Sequence, residues 1–117
     1  MMKQISVFLE NRTGRLNQLL KILSEHEINI SSLAIADTGE YGIARLIVEN
    51  HDKACQAIKD NGMTAAETDV LALEVDDTPG NLYAATKLLA DNDINVEYAY
   101  SAIPSDAGKA IVIIRVD

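Results

Sequence analysis

The feature that most constrains this chain is an internal repeat. When residues 71 to 117 are laid over residues 5 to 51 without a gap, Gly80 falls on Gly14 and Asn95 on Asn29, at a constant offset of 66 (80 − 14). The same register pairs Leu16 with Leu82, Lys21 with Lys87, Ile28 with Ile94, Ala36 with Ala102, Gly42 with Gly108 and Ala44 with Ala110. The repeat predicts that the 117 residues fold as two copies of one unit, each marginally stable alone.

The first copy has the pattern of a βαββαβ unit. Apolar residues alternate from Ile5 to Leu9, which is typical of a strand, and Leu16, Leu19, Leu20 and Leu23 then follow at helical spacing. Further along we predict two strands joined by a hairpin loop at residues 38–42, a helix with Asp52 as its N-cap and Gly62 at its C-terminus, and a short strand over residues 63–67.

The second copy is shorter. It has a strand over residues 71–75, a turn ending at Gly80, a helix, and two strands around a hairpin loop at residues 104–108. The sequence given contains no counterpart of residues 52–70, so this copy reads as βαββ. We therefore expect an α+β fold with one domain at 1–69 and a second at 70–117, each an antiparallel sheet with helices on one face.

Both faces of the first predicted sheet are apolar. Strict alternation places Ile5, Val7 and Ile30 toward the helices, and it points five other residues away from them: Phe8, Leu33, Ile35, Ile43 and Ile47. A two-layer sandwich leaves that second face open to water. We therefore expect the other copy or a second chain to cover it, and a homodimer to form.

Composition excludes several partners. A net charge of −8 disfavours binding to nucleic acid, which depends on clustered Lys and Arg. A membrane-spanning helix needs a run of about 18 apolar residues, and the sequence contains none, so we expect no membrane span. A single Cys cannot form an intrachain disulfide and favours a reducing, cytoplasmic location.

The loop Asn11-Arg12-Thr13-Gly14 is the strongest candidate for a binding site. It precedes a helix N-terminus, where unpaired N–H groups and the helix dipole favour an anion such as a carboxylate. We expect Asn29 to return close to this loop, so that two amides hold the carboxylate and ammonium of a free amino acid. The alternative is structural: Asn11 caps the helix, Gly14 forms a turn, and Asn29 ends a helix.

The second copy retains Gly80 and Asn95 but replaces Asn11 by Asp77. An Asp keeps the acceptor, loses the donor and adds a negative charge, which repels a carboxylate unless it faces the ligand's ammonium. The first copy is therefore the better candidate for binding.

No residues are spaced as a catalytic or metal site. Cys55 is predicted to be a packing residue, and His26 and His51 are far apart and pair with no Cys or His at metal-ligand spacing, so we expect surface or capping roles for them. We predict no enzyme activity, no cofactor and no metal.

These motifs resemble those of the ACT domain, the small-molecule-sensing module of amino-acid metabolism. Asn11-Arg12-Thr13-Gly14-Arg15-Leu16 followed by Ile28-Asn29-Ile30 is similar to the family pattern Asn-Arg-Pro-Gly-x-Leu, then Gly-(Ile/Val)-Asn-Ile. Thr13 stands where the family often has Pro, and Glu27 where it often has Gly. The segment 77–82 with 94–96 looks like a second copy.

The resemblance implies a ferredoxin-like βαββαβ fold and amino-acid binding between packed domains. In a serine-sensing member of the family, two asparagines at the positions of Asn11 and Asn29 hold the ligand, and a histidine that also contacts it is replaced here by Leu9. The identity of the amino acid therefore stays open. The expected ligand-binding residues are Asn11, Arg12, Thr13, Gly14, Leu16, Asn29, Ile30, Asp77, Gly80 and Asn95.

Two functions follow from the resemblance. The first is a regulatory protein that senses a free amino acid at a domain interface. The alternative is an interaction subunit of an amino-acid biosynthetic enzyme with a vestigial pocket.

Overall fold

A computed structural model describes residues 1–37, 39–104 and 106–117. Thr38 and Ser105, which belong to the two predicted hairpin loops, lie outside the described residues. The elements in chain order are β1 (Met2–Glu10), α1 (Arg15–Glu25), β2 (Ile30–Asp37), β3 (Tyr41–Val48), α2 (His51–Asp60), β4 (Thr64–Asp76), α3 (Asn81–Asp91), β5 (Val96–Ala102) and β6 (Lys109–Val116). The two strands predicted at 63–67 and 71–75 are one continuous strand, β4.

The chain divides into two compact units. The N-terminal unit comprises Lys3–Thr68, and the C-terminal unit comprises Asp69–Asp117 together with Met1–Met2. The division falls within β4, since residues 64–68 of this strand belong to the N-terminal unit and residues 69–76 to the C-terminal unit.

The N-terminal unit is a ferredoxin-like sandwich. Its strand order is β2-β3-β1-β4, and β3 pairs antiparallel with both β2 and β1. Residues from one face of the sheet and from both helices form a single core, in which Ile5, Leu19, Leu46 and Ile58 are fully buried. The helices therefore cover one face of this sheet, as the apolar periodicity of α1 predicts.

A β-bulge in β2 corrects one prediction about this sheet. The register pairs Ile30 with Val48 but shifts before Ser32, so that Leu33 lies opposite Leu46 and Ile35 opposite Ala44. Residues opposite one another point to the same face, so Leu33 and Ile35 lie on the face that carries the core. Strict alternation placed them on the other face because it takes no account of the bulge. The extra residue in a bulge reverses the side to which all later side chains of the strand point.

The far face of the same sheet carries apolar residues as predicted. Phe8 is 53% exposed, and its ring centroid lies 5.9 Å from that of Tyr41. Ile47, by contrast, is buried.

The C-terminal unit repeats the local geometry of the first. Its strands run in the order β4-β6-β5 with antiparallel pairing, and β5 has its own bulge between Val96 and Tyr98, 66 residues after the bulge in β2. Before each helix a glycine has φ of 89°, Gly14 before α1 and Gly80 before α3.

The ends of α1 and α3 are also duplicated. The N–H of Glu27 donates to Ser24 and that of Ile28 to Leu23, the hydrogen-bond pattern of a Schellman motif. Asp93 and Ile94 bond in the same way to Ala90 and Leu89. Glu27 and Asp93 have positive φ values of 56° and 59°, a conformation that favours glycine and explains why the family often has Gly at Glu27.

The ungapped register does not hold beyond the hairpins. Glu10 pairs with Tyr41, whereas Asp76 pairs with Lys109, so the last strands of the two repeats correspond at an offset of 68 (109 − 41). The structural counterpart of Gly42 is therefore Ala110, and the sequence match of Gly42 with Gly108 is not a structural one.

Helix α3 is the least buried helix. None of its residues is buried, and Tyr83 and Leu88 are 68% and 66% exposed. No helix in the described part of the chain is long and apolar enough to span a lipid bilayer.

Candidate functional site

A pocket of about 260 Å³ opens beside the turn between β1 and α1. It lies within the N-terminal unit, where the end of β1, the start of α1, the end of β2 and the start of β3 meet. Its lining residues are Leu9, Glu10, Asn11, Arg12, Leu16, Ile35, Asp37 and Gly42. Three of the predicted site residues, Asn11, Arg12 and Leu16, therefore lie around one pocket.

Asn11 joins the turn to the β2–β3 hairpin. Its side-chain amide donates to the carbonyl of Gly39 at 2.7 Å and lies 3.5 Å from Asp37 Oδ1, while its backbone N–H donates to Glu40. Asp37 Oδ1 also accepts from the N–H of Gly39 at 2.7 Å. Since the Asn11 nitrogen is engaged in this way, its amide oxygen is the acceptor that it offers to a ligand.

Charged groups of both signs line the pocket. Glu10 forms ion pairs with Arg12 at 3.0 Å and with Arg15 at 3.5 Å, and Asp37 contributes a second carboxylate. The lining residues thus carry two carboxylates and one guanidinium, and the second guanidinium, that of Arg15, pairs with Glu10 without lining the pocket. Such a site suits a ligand that itself carries both signs of charge.

Gly42 lines the pocket from within β3. It is buried in β3, opposite both Leu9 and Asp37, and a Cβ at this position would lie 3.3 Å from the Ala36 carbonyl oxygen and 3.5 Å from a methyl carbon of Ile35. The close approach of the Ala36 backbone therefore leaves little room for a side chain, which favours glycine at this position.

Thr13 and Gly14, also predicted as site residues, complete the turn but do not line the pocket. Both residues are exposed. Gly14 is the N-cap residue of α1 and has φ of 89°, so this helix has no side-chain cap. The turn thus positions Asn11 and Arg12 and leads the chain into the helix that carries Leu16.

Asn29 does not lie near this pocket, contrary to our expectation. It lines a separate pocket of about 140 Å³ with Glu27, Ile28, Glu49, Asn50 and Lys53. The reason is topological: α1 leads the chain to the opposite end of the sheet, so β2 begins far from the turn and only its last residue, Asp37, returns there. Seven residues of strand separate Ile30 from Asp37, a distance of about 23 Å.

Ile30 consequently belongs to the far end as well. It is half-buried and packs against the core of the N-terminal unit. Within one chain, Asn29 and Ile30 cannot contact a molecule held beside Asn11.

The C-terminal unit lacks the same set of groups. Asp77 and Gly80 occupy the corresponding turn, in which the Asp77 N–H donates to Gly108, and both residues are exposed. Asn95 bonds through its backbone to Asp117 at the other end of the unit. The counterparts of the Asp37 carboxylate and of Gly42 are Ile103 and Ala110, so neither the acidic group nor the glycine is repeated at these positions.

The sequence did not identify Ile35, Asp37 and Gly42 as site residues. Asp37 directly precedes the predicted hairpin loop and Gly42 is the last residue of that loop, so both positions indicated a turn and not a ligand-binding site. Ile35 was assigned to the other face because the bulge in β2 was not foreseen.

Comparisons with known proteins agree with this fold. A family model described as "ACT domain pair" matches residues 1–117. The crystal structure of protein BT0572 from Bacteroides thetaiotaomicron is 38% identical in sequence, with a TM-score of 0.91, over 97% of this chain and 78% of that one. No match was found among curated proteins.

Two more distant structures share the fold. One is the regulatory subunit of aspartate kinase from Thermus thermophilus, in its ligand-free form, at 15% identity and a TM-score of 0.74 over 96% of this chain and 81% of that one. The other is the regulatory subunit of aspartate kinase from Thermus flavus, at 16% identity and a TM-score of 0.69 over 96% and 80%. Since a family model covers the whole chain and the fold contains both repeats that the sequence predicts, the protein belongs to the ACT domain pair family.

Proposed function

We propose that the protein is a non-enzymatic regulatory module that binds a free amino acid in the pocket beside Asn11. The observation that carries the proposal is the convergence of an amide oxygen, a carboxylate and a guanidinium on one small pocket with an apolar wall. Its volume of about 260 Å³ is below the range of about 300–1,000 Å³ for drug-sized ligands, which suits a small metabolite.

The polar groups complement a zwitterion. Asp37 and the amide oxygen of Asn11 are acceptors for the ligand's ammonium, and Arg12 with the first-turn N–H groups of α1 offers donors to its carboxylate. Glu10 already pairs with Arg12, so the carboxylate of the ligand competes with the carboxylate of Glu10 for the same guanidinium. We therefore expect affinity in the micromolar range or weaker.

The remaining wall selects the side chain of the ligand. Leu9, Leu16 and Ile35 are apolar and offer no partner for a charged or strongly polar group. Burying a neutral polar group without a partner costs about 1–3 kcal/mol and burying an unpaired charge costs more, so we expect an aliphatic amino acid to bind better than an acidic or basic one.

Isothermal titration calorimetry with each common amino acid tests the proposal. Asn11→Ala and Asp37→Asn should each weaken binding of the preferred amino acid about 10- to 100-fold. Each variant removes a hydrogen bond to the charged ammonium, and such a bond contributes about 1.5–3 kcal/mol. Asn11→Asp is a more conservative variant that reproduces the residue at the same position of the second copy.

Asp77→Ala is the matched control, because it changes the same turn of the C-terminal unit and should leave binding unaltered. Asn29→Ala should also have no effect if a single chain forms the site, whereas a strong effect would mean that a second copy contributes its Asn29 pocket. If the protein bound none of the amino acids, the proposal would be rejected.

We further infer that two copies of the chain associate. Apolar side chains remain exposed on both units, including Phe8, Leu82 and Leu88. Exposed apolar surface of this kind marks interaction sites. Light scattering at micromolar concentration should give the mass of a dimer, and a monomer would contradict the inference.

A second candidate function is an interaction subunit of an amino-acid biosynthetic enzyme whose pocket no longer binds. The exposure of α3, with Tyr83 and Leu88 in solvent, favours a protein partner. Co-purification with such an enzyme, together with no response to any amino acid, would support this alternative over the first.

A further inference from the structure

Three potential metal-ligating side chains come together on the N-terminal unit, away from the pocket beside Asn11. His51 and Asp52 are the first two residues of α2, and Glu67 lies in β4. His51 Nδ1 is 3.1 Å from Glu67 Oε2 and 3.2 Å from Asp52 Oδ1, and the three donor atoms all lie within 4.8 Å of one another.

The imidazole nitrogen at the centre of this cluster is unsatisfied. Although two carboxylate oxygens lie within ion-pair distance, Nδ1 is buried and forms no hydrogen bond with any residue that the structure describes. A ring nitrogen has a single in-plane direction for a hydrogen bond, and neither oxygen lies suitably along it. A cation bound by all three groups would satisfy the nitrogen and both carboxylates together.

The two separations from His51 Nδ1 are close to those between ligands of one metal ion. Zn²⁺ is about 2.0–2.1 Å from an imidazole nitrogen and about 2.0–2.2 Å from a carboxylate oxygen. At the tetrahedral angle those bond lengths place two ligand atoms about 3.4 Å apart. The two separations from His51 Nδ1, 3.1 and 3.2 Å, differ from this value by a few tenths of an ångström. The Asp52 and Glu67 oxygens lie within 4.8 Å of each other and must come to about the same separation when both bind the ion.

We propose that His51, Asp52 and Glu67 bind a divalent transition-metal ion, with Zn²⁺ the best match. One imidazole and two carboxylates form a mixed nitrogen and oxygen donor set, whereas Mg²⁺ and Ca²⁺ prefer oxygen alone. The two carboxylates neutralise the charge of the ion, and the net charge of −8 favours its approach. Water completes the coordination.

The position of the cluster sets the expected affinity. The positive end of the α2 dipole lies beside it and opposes a cation. The Asp52 side chain is 83% exposed and so loses conformational freedom when it becomes a ligand. Both effects favour a dissociation constant in the micromolar range over the tight binding of a buried structural site.

Calorimetric titration of the intact protein with Zn²⁺, and visible absorption with Co²⁺ as a spectroscopic probe, test the proposal. We expect one ion per chain and a Co²⁺ absorption band that Zn²⁺ displaces. His51→Ala, Asp52→Asn and Glu67→Gln should each weaken binding by about tenfold or more.

His26→Ala is the matched control, because His26 bonds through its ring to Ile22 at the end of α1 and takes no part in the cluster. It should bind the ion as tightly as the unaltered protein. Asp52→Asn changes a largely exposed side chain, so its effect on binding is separable from any effect of His51→Ala on folding.

Absence of saturable binding, or binding that persists unchanged in both His51→Ala and Asp52→Asn, would overturn the proposal. Equal weakening by His26→Ala would also overturn it, since the metal would then associate with histidines in general. The outcome is independent of amino-acid binding because neither His51 nor its two partners lines the pocket beside Asn11.

Discussion

Replacing Glu27 by glycine should stabilise the protein, because the backbone at this position is left-handed. Glu27 has φ of 56° directly after the last turn of α1, where its N–H and that of Ile28 close a Schellman motif. A residue with a Cβ in this conformation is disfavoured by about 1–2 kcal/mol relative to the right-handed region. Glycine avoids that strain but loses about 0.5–1 kcal/mol through the greater entropy of the unfolded chain.

The net gain is therefore about 0.5–1 kcal/mol. With an unfolding entropy of about 2.1 cal/mol/K per residue, the whole chain has about 0.25 kcal/mol/K, so 1 kcal/mol corresponds to about 4 °C in Tm. We expect Glu27→Gly to raise Tm by about 2–4 °C in a thermal melt followed by circular dichroism. Asp93→Gly should act similarly, since φ there is 59° and the hydrogen bonds are the same.

The duplicated geometry allows a stringent control. Glu27→Ala removes the same carboxylate from the negative end of the α1 dipole but retains the Cβ, so it measures the charge effect alone. Subtracting its effect from that of Glu27→Gly isolates the backbone contribution, and the double variant with Asp93→Gly should show additive gains because the two sites belong to different units. If Glu27→Ala stabilised the protein as much as Glu27→Gly, the argument from backbone strain would be refuted.

Two further predictions concern the core and the pH dependence of stability. Leu46→Ala should cost about 2–5 kcal/mol in urea denaturation because Leu46 is fully buried, whereas Leu88→Ala, at 66% exposed, should change little. The hydrogen bond and charge of Asp76 raise the pKa of Lys109 above its ordinary 10.5. The contribution of this ion pair to the free energy of unfolding is therefore fully present below pH 10.5 and is lost as the pH rises through the pKa of Lys109 in the folded state. Asp76→Asn should abolish this alkaline loss in melts between pH 9 and 12, and an unchanged profile would show that the pair contributes nothing.

The sequence by itself determined the duplicated architecture. Local signals are strong there: Gly14 and Gly80 have no Cβ and so adopt the left-handed turn before a helix, and the leucines of α1 recur at helical spacing. The turn that carries Asn11 and Arg12 was also identified from sequence, because a polar segment between a strand and a helix is a local pattern.

Only the tertiary structure decided which residues share a site. Strand pairing brings Asp37 and Gly42 beside Asn11 and leaves Asn29 at the other end of the sheet, and no local pattern reports the direction in which a chain returns. The bulge in β2 moves Ile35 to the core face through one extra residue, which periodicity alone does not detect.

The same limit applies to the cluster around His51. His51 and Asp52 are adjacent in sequence, but Glu67 is 15 residues beyond Asp52 (67 − 52) and reaches them only because β4 returns past the start of α2. Sequence spacing reveals ligands within one element or one loop, whereas ligands from separate elements meet through packing. Turns and periodicity are therefore encoded locally, while the composition of each candidate site depends on pairings between residues distant in the chain.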